Sequence, residues 1–153
     1  AGNWPSLSEM RGRLIFVLMG SDAAIDHYIP DHSSLQGRNM FVFTVAGTPE
    51  SVFIKMDDPI ANFGLIQQRI AEGYVVRTRA DADTKEARNG DYTRFMASIN
   101  SGAQIISTDY YKHYVRAMSD MGWTDYEVSF ENDVIAKLHD TISADPFDCE
   151  VIE

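Results

Sequence analysis

The chain has 153 residues, 44% of them apolar, and no Gly/Ser/Pro-rich linker or low-complexity run divides it, so it has the substance for one folded domain spanning 1–153. A formal charge of −10 at pH 7 argues against non-specific nucleic-acid binding, whose affinity rests on neutralising phosphates with Lys and Arg, so any phosphate-bearing ligand must be held by a local basic cluster. One cysteine, Cys149, allows no internal disulfide and gives no metal-ligand pattern, and the longest apolar runs fall far short of the roughly 20 residues that span a bilayer.

No signal-like stretch opens the sequence, and the abrupt start Ala1-Gly2-Asn3-Trp4-Pro5 is read as that of a mature or trimmed part of something longer. Leu14-Ile15-Phe16-Val17-Leu18 is a continuous apolar run, the pattern of a strand covered on both faces by helices. It ends at Gly20-Ser21-Asp22, and Ala23 to Tyr28 then reads as a short helix stopped by Pro30. Met40 to Val45 is a second strand by the same reasoning, and Val52-Phe53-Ile54 a shorter extended piece. Asp58-Pro59 opens the clearest helix, with Asp58 placed to cap free amides and Pro59 where a missing N–H costs nothing. Ile60, Phe63, Ile66 and Ile70 recur along one face, and Gly73 supplies a left-handed stop.

Tyr74 to Arg79 is the next strand. Asp83-Thr84-Lys85-Glu86 then fits a capping box, with Asp83 as the acceptor and Glu86 answering three residues later. Asp91 is placed to cap a further helix whose Tyr92, Phe95, Met96 and Ile99 share a face and which Gly102 ends, and Gln104 to Ser107 is the last core strand. Beyond it Tyr126 to Phe130 alternates with period two, and Glu131-Asn132-Asp133 separates it from Val134 to Leu138, which reads as an appended hairpin over 124–138. Strands alternating with helices imply right-handed parallel crossovers, so the class is α/β, with four or so βα units.

Such folds present their sites at the carboxyl ends of strands. Arg77 and Arg79 share a face on an extended strand, so two guanidinium forks could converge on one phosphate. The competing reading pairs them with Asp81, Asp83 or Glu86 to close the end of the fold, and Arg79, nearer the strand end, is the stronger candidate for ligand contact. Lys55 is the other candidate phosphate ligand, against the reading of a solvated lysine. Asp81 has no capping role and is open to orient an arginine or to accept from a substrate hydroxyl. Asp109 suits a sugar hydroxyl and Tyr110 a sugar ring face, whereas for Tyr111 core packing competes evenly. Asp81-x-Asp83 is not a calcium hand, because the sixth and twelfth positions hold Glu86 and Tyr92 instead of glycine and a bidentate acid. His27, His32, His113 and His139 read as surface or capping residues, with His113, just past a strand end, the first to test.

Trp4-Pro5-Ser6-Leu7-Ser8-Glu9-Met10-Arg11-Gly12 leading into an apolar strand, then Tyr74 to Thr84, Glu86-Ala87-Arg88-Asn89, Ser101-Gly102-Ala103-Gln104 and Ser107-Thr108-Asp109-Tyr110, resembles the C-terminal half of the calcium-dependent phosphoinositide-specific phospholipase C family. The resemblance runs from about Trp4 to Leu138. It implies the C-terminal half of a TIM-type phosphodiesterase barrel, since a complete barrel takes about 250 residues. It also implies cleavage by attack of an inositol hydroxyl on phosphorus, with histidine as general base and acid and Ca²⁺ as Lewis acid. In that family the catalytic histidines and most metal ligands belong to the N-terminal half, which this sequence lacks. The implied partners are a phosphoinositide or other phosphodiester, the missing half or a second copy, and transiently a membrane surface, in a secreted or periplasmic setting. The alternative is a non-catalytic half-barrel that dimerises or binds a phosphorylated ligand.

Overall fold

The computed structural model describes residues 5–30, 34–111, 120–137 and 139. In chain order these form α1 (Leu7–Met10), β1 (Val17–Leu18), α2 (Asp22–Tyr28), β2 (Phe41–Val42), β3 (Phe53–Lys55), α3 (Phe63–Ala71), β4 (Val75–Arg79), α4 (Lys85–Asn89), α5 (Thr93–Asn100), β5 (Ile105–Ser107) and a 3₁₀ turn, Glu131–Asp133. β1 and β2 pair in parallel, as do β3, β4 and β5 in that order, and a single parallel bridge between Phe43 and Phe53 links the two sheets. The α/β class and the parallel crossovers follow the sequence pattern.

β4 is the centre of this arrangement. Val76, Thr78 and Ala80 alternate as fully buried residues on the side where α3 and α5 pack, and Ile66 of α3 is fully buried with them. Ser98 of α5 fastens its helix to the strand by donating to the Arg79 carbonyl at 3.2 Å. The odd-numbered residues take the other face, where Lys55 lies level with Arg77 and Arg79 with Ser107. Ala80, Ala87, Phe95, Tyr126 and Val128 form a buried apolar cluster beside the end of β4.

Several expected elements come out differently. The run Leu14 to Leu18 is not covered on both faces: β1 is an edge with β2 as its ladder neighbour, and Leu14 is 81% and Phe16 57% exposed. The helix expected from Pro59 begins at Phe63, because Asp58 first closes a turn by accepting from the amides of Ile60 and Ala61, each at 3.0 Å. Gly73 is the expected left-handed stop, with φ of 92°. Asp83 does not cap α4. Asp83 and Thr84 both have left-handed backbone, and the Asp83 side chain is 84% exposed beside Lys85. The Glu86 carboxylate does not answer on the Asp83 amide as the box requires, and its Oε2 accepts from the Ala82 amide at 2.8 Å instead. Asp91 does accept from the Thr93 amide at 2.9 Å.

The hairpin expected over 124–138 is not seen among the described residues. Tyr126 and Val128 bury alternately as the period-two pattern requires, but they do so against the cluster around Ala80 and Phe95, and the Val128 amide donates to the Tyr110 carbonyl at 2.8 Å. Trp4, His32, His113, Leu138 and Cys149 lie outside the described residues.

Candidate functional site

β3, β4 and β5 run parallel, so their carboxyl ends open on one side, and that side gathers Lys55, Asp57 and Asp58 from β3 and the loop after it, Arg77, Arg79 and Asp81 from β4, and Thr108, Asp109 and Tyr110 from beyond β5. Arg94, in the first turn of α5, reaches the same place. All six residues expected from the sequence therefore lie at one end of one sheet.

Arg77 and Arg79 share a face as expected, yet they do not converge. Arg77 Nη1 donates to Asp57 Oδ1 on the β3 side, and the other oxygen of Asp57 lies 3.7 Å from Lys55 Nζ. Arg79 Nη2 turns to the β5 side, 3.4 Å from Asp109 Oδ2 and 3.9 Å from Asp81 Oδ1. The expected pairing with Asp81 is thus seen, whereas Asp83 is paired with Lys85 and Glu86 with a backbone amide.

Asp81 is a buried strut. One carboxylate oxygen accepts from the Thr108 hydroxyl and the other from the Asp109 amide at 3.3 Å, while Thr108 Oγ1 itself accepts from the Tyr110 amide at 2.9 Å. The end of β4 and the loop after β5 are fastened together through this one side chain. Tyr110 lies partly buried and packs edge-on against Tyr126 at 5.5 Å, whereas Tyr111 is 69% exposed and not a core residue. Burial, then the charges of Asp81 and Asp109, holds the Tyr110 hydroxyl above its ordinary value. Burial drives the Tyr126 hydroxyl further in the same direction, with Asp81 and Glu86 adding to it, and that hydroxyl donates to the Ala80 carbonyl at 3.3 Å.

Asp57 and Arg94 escaped the sequence reading. Asp57 had a signal: it stands two residues after Lys55, so an extended chain returns it to the same face. Arg94 had none, since its part depends on the β3–α3 loop reaching α5, where Arg94 Nη2 donates to the Asp57 carbonyl at 2.7 Å and Nη1 lies 3.7 Å from Asp58 Oδ1. The amide of Ala61 above all, with the charge of Arg94 and the amide of Ile60, holds the Asp58 carboxyl below its usual range.

The model of the family described as calcium-dependent phosphoinositide phospholipase C matches residues 1–139. No curated protein and no solved structure matches the chain. The match takes in every element that builds the mouth, from β3 through Tyr110, together with the segment that packs beneath it. The chain belongs to the calcium-dependent phosphoinositide phospholipase C family.

Proposed function

We propose that the chain is the substrate-binding half of a phosphodiesterase acting on a phosphoinositide or related phosphodiester, with its acid–base histidines supplied by a segment outside this sequence. The observation that carries this reading is the cationic mouth, with Lys55, Arg77 and Arg79 on one face at the carboxyl ends of adjacent parallel strands in a member of this family. Strand order supports a barrel. β1 and β2 in one sheet and β3, β4 and β5 in the other follow chain order, all pairs parallel, with the Phe43–Phe53 bridge parallel as well, and among the described residues there is no reversal of the kind that marks a doubly wound sheet. The exposed apolar residues that flank β1, Leu14, Ile15, Phe16 and Met19, suit pairing with further strands, from the rest of the barrel or from a second copy.

In this reading the guanidinium and ammonium groups neutralise the phosphate, the exposed Asp109 carboxylate accepts from an inositol hydroxyl beside Arg79, and Tyr111 offers its ring face. Exposed Met19, Val45 and Ile60 follow β1, β2 and β3 on the side of the mouth, an apolar rim suited to transient contact with the membrane that carries such a lipid. His27 is exposed on α2, and His139 lies with Nε2 3.2 Å from the Ile99 carbonyl, where α5 ends and β5 begins, at the opposite end of the sheet. His139 is therefore not placed to move a proton at the mouth.

The family depends on calcium, which when bound polarises a phosphoryl oxygen. The acids of this mouth do not fit a calcium shell of roughly six to eight oxygens. Asp57 faces Lys55 and Arg77, Asp109 faces Arg79, and Asp81 is occupied by Thr108 and the Asp109 amide. Among the described residues no group of three or more His, Cys, Asp or Glu side chains is placed to hold a metal. Calorimetric titration with inositol 1-phosphate tests the binding role: the wild-type chain should bind, and Arg79→Lys and Arg77→Lys, which keep charge but lose the planar fork, should weaken it severalfold. Affinity unchanged in both variants would reduce these arginines to ion-pair partners and refute the reading.

A further inference from the structure

The ion pairs split the mouth into two groups of opposite balance. Around Asp57 three cations, Lys55, Arg77 and Arg94, face two carboxylates, Asp57 and Asp58. Around Arg79 one cation faces two carboxylates, Asp81 and Asp109. In a chain with a formal charge of −10, the first group is the local positive excess that an anionic ligand needs. That place already holds an anion. Asp57 lies between Arg77 and Lys55 as a ligand oxyanion would, one oxygen to each. Arg77 and Arg94 are fixed parts, with side chains 16% and 14% exposed, whereas the Asp57 side chain is 42% exposed and free to turn outward. Its backbone is held separately, through the bond from Arg94 to the Asp57 carbonyl, so the carboxylate can leave without the loop moving.

We propose that Asp57 is the resident counter-ion of the phosphate subsite, displaced from Arg77 and Lys55 when a phosphorylated ligand binds. The proposal rests on the reading of the mouth as a phosphoinositide site and adds to it which cations take the phosphate and what they must release. Two phosphate oxygens can take the places of the two Asp57 oxygens, one on Arg77 and one on Lys55, so the exchange leaves both cations paired. Asp57 thereby sets a threshold: the single charge of a phosphodiester only matches the carboxylate it would replace, whereas a monoester phosphate on an inositol head group, carrying close to two charges at neutral pH, displaces it more readily.

The test titrates inositol 1-phosphate into the wild-type chain and into Asp57→Asn, Asp57→Ser and Glu72→Gln. Glu72 pairs with Arg69 at the far end of α3, so its variant makes the same change in net charge away from the mouth. Both Asp57 variants should bind about threefold to fivefold tighter than wild type, the scale of releasing one exposed ion pair. Glu72→Gln should stay within about twofold of wild type. Unchanged or weaker binding in both Asp57 variants, with wild type still binding, overturns the counter-ion role while leaving the site reading intact. Equal tightening in Glu72→Gln reduces the effect to net charge and overturns it as well. Failure of every protein, wild type included, to bind at millimolar ligand overturns both this proposal and the reading it rests on.

Discussion

Replacing Asp81 by Ala probes most sharply how the mouth is built. Asp81 is 1% exposed, and its carboxylate joins β4 to the loop after β5 through the Thr108 hydroxyl and the Asp109 amide. The bond from Thr108 reaches an ionised acceptor in a buried place and is worth about 1.5–3 kcal/mol. The bond from the Asp109 amide, at 3.3 Å, is long and adds about 0.5–1 kcal/mol. Arg79, at 3.9 Å and part-exposed, adds little after solvent screening. Truncation also strands the Thr108 hydroxyl, so Asp81→Ala should lower stability by about 3 kcal/mol. Thr108→Val, which removes the donor and the acceptor of the Tyr110 amide, should cost about 1–2 kcal/mol. Because both substitutions break the same bond, the double variant should fall short of their sum by about 1–2 kcal/mol. Urea unfolding followed by circular dichroism measures all three. A loss below about 1 kcal/mol for Asp81→Ala, or strict additivity with Thr108→Val, refutes the strut.

Asp58→Ala should cost about 1 kcal/mol and Asp83→Ala almost nothing, because Asp58 accepts from two amides and Asp83 from none that caps α4; thermal melts compare them, and equal losses would contradict the assignment. The Asp58 carboxyl is held low, so the stability it contributes is present above about pH 4 and is lost as pH falls through its folded value. Tyr110 and Tyr126 are raised, so their contribution is complete below about pH 10, where unfolded tyrosine keeps its proton, and is lost as pH climbs towards their folded values. Tyr126→Phe should flatten that alkaline decline while costing about 1 kcal/mol at pH 7 for the bond to Ala80; an equally steep decline in the variant counts against the burial argument. Light scattering at micromolar concentration should show association of the chain that Phe16→Ser weakens, and a stable monomer in wild type would count against the edge role of β1.

The parts of the fold legible in the sequence are those fixed by short-range chemistry. Val75 to Arg79 alternates between a buried and a charged face, the left-handed stop at Gly73 needs no side chain, and Asp58 finds its amides two and three residues away. What the sequence hid depends on neighbours distant in the chain. Period two places Arg77 and Arg79 on one face, but only the register of Lys55 with Arg77 and of Arg79 with Ser107 shows that their carboxylates come from opposite flanking strands. Tyr126 to Val128 shows the same limit. Alternation told which residues are buried, but not that they bury against Phe95 and Ala87, with no hairpin partner among the described residues. The capping box at Asp83 failed because two successive left-handed residues point its acceptor into solvent, and nothing in the local pattern demands that conformation.

In the proposed function this chain binds the phosphoinositide head group and relies on another segment for proton transfer. Turnover of phosphatidylinositol by the purified chain, with and without Ca²⁺, tests it most directly when run beside the inositol 1-phosphate titration. Binding without turnover is expected under either condition. Calcium-dependent turnover by the chain alone, abolished by replacing one of its own histidines, would contradict it.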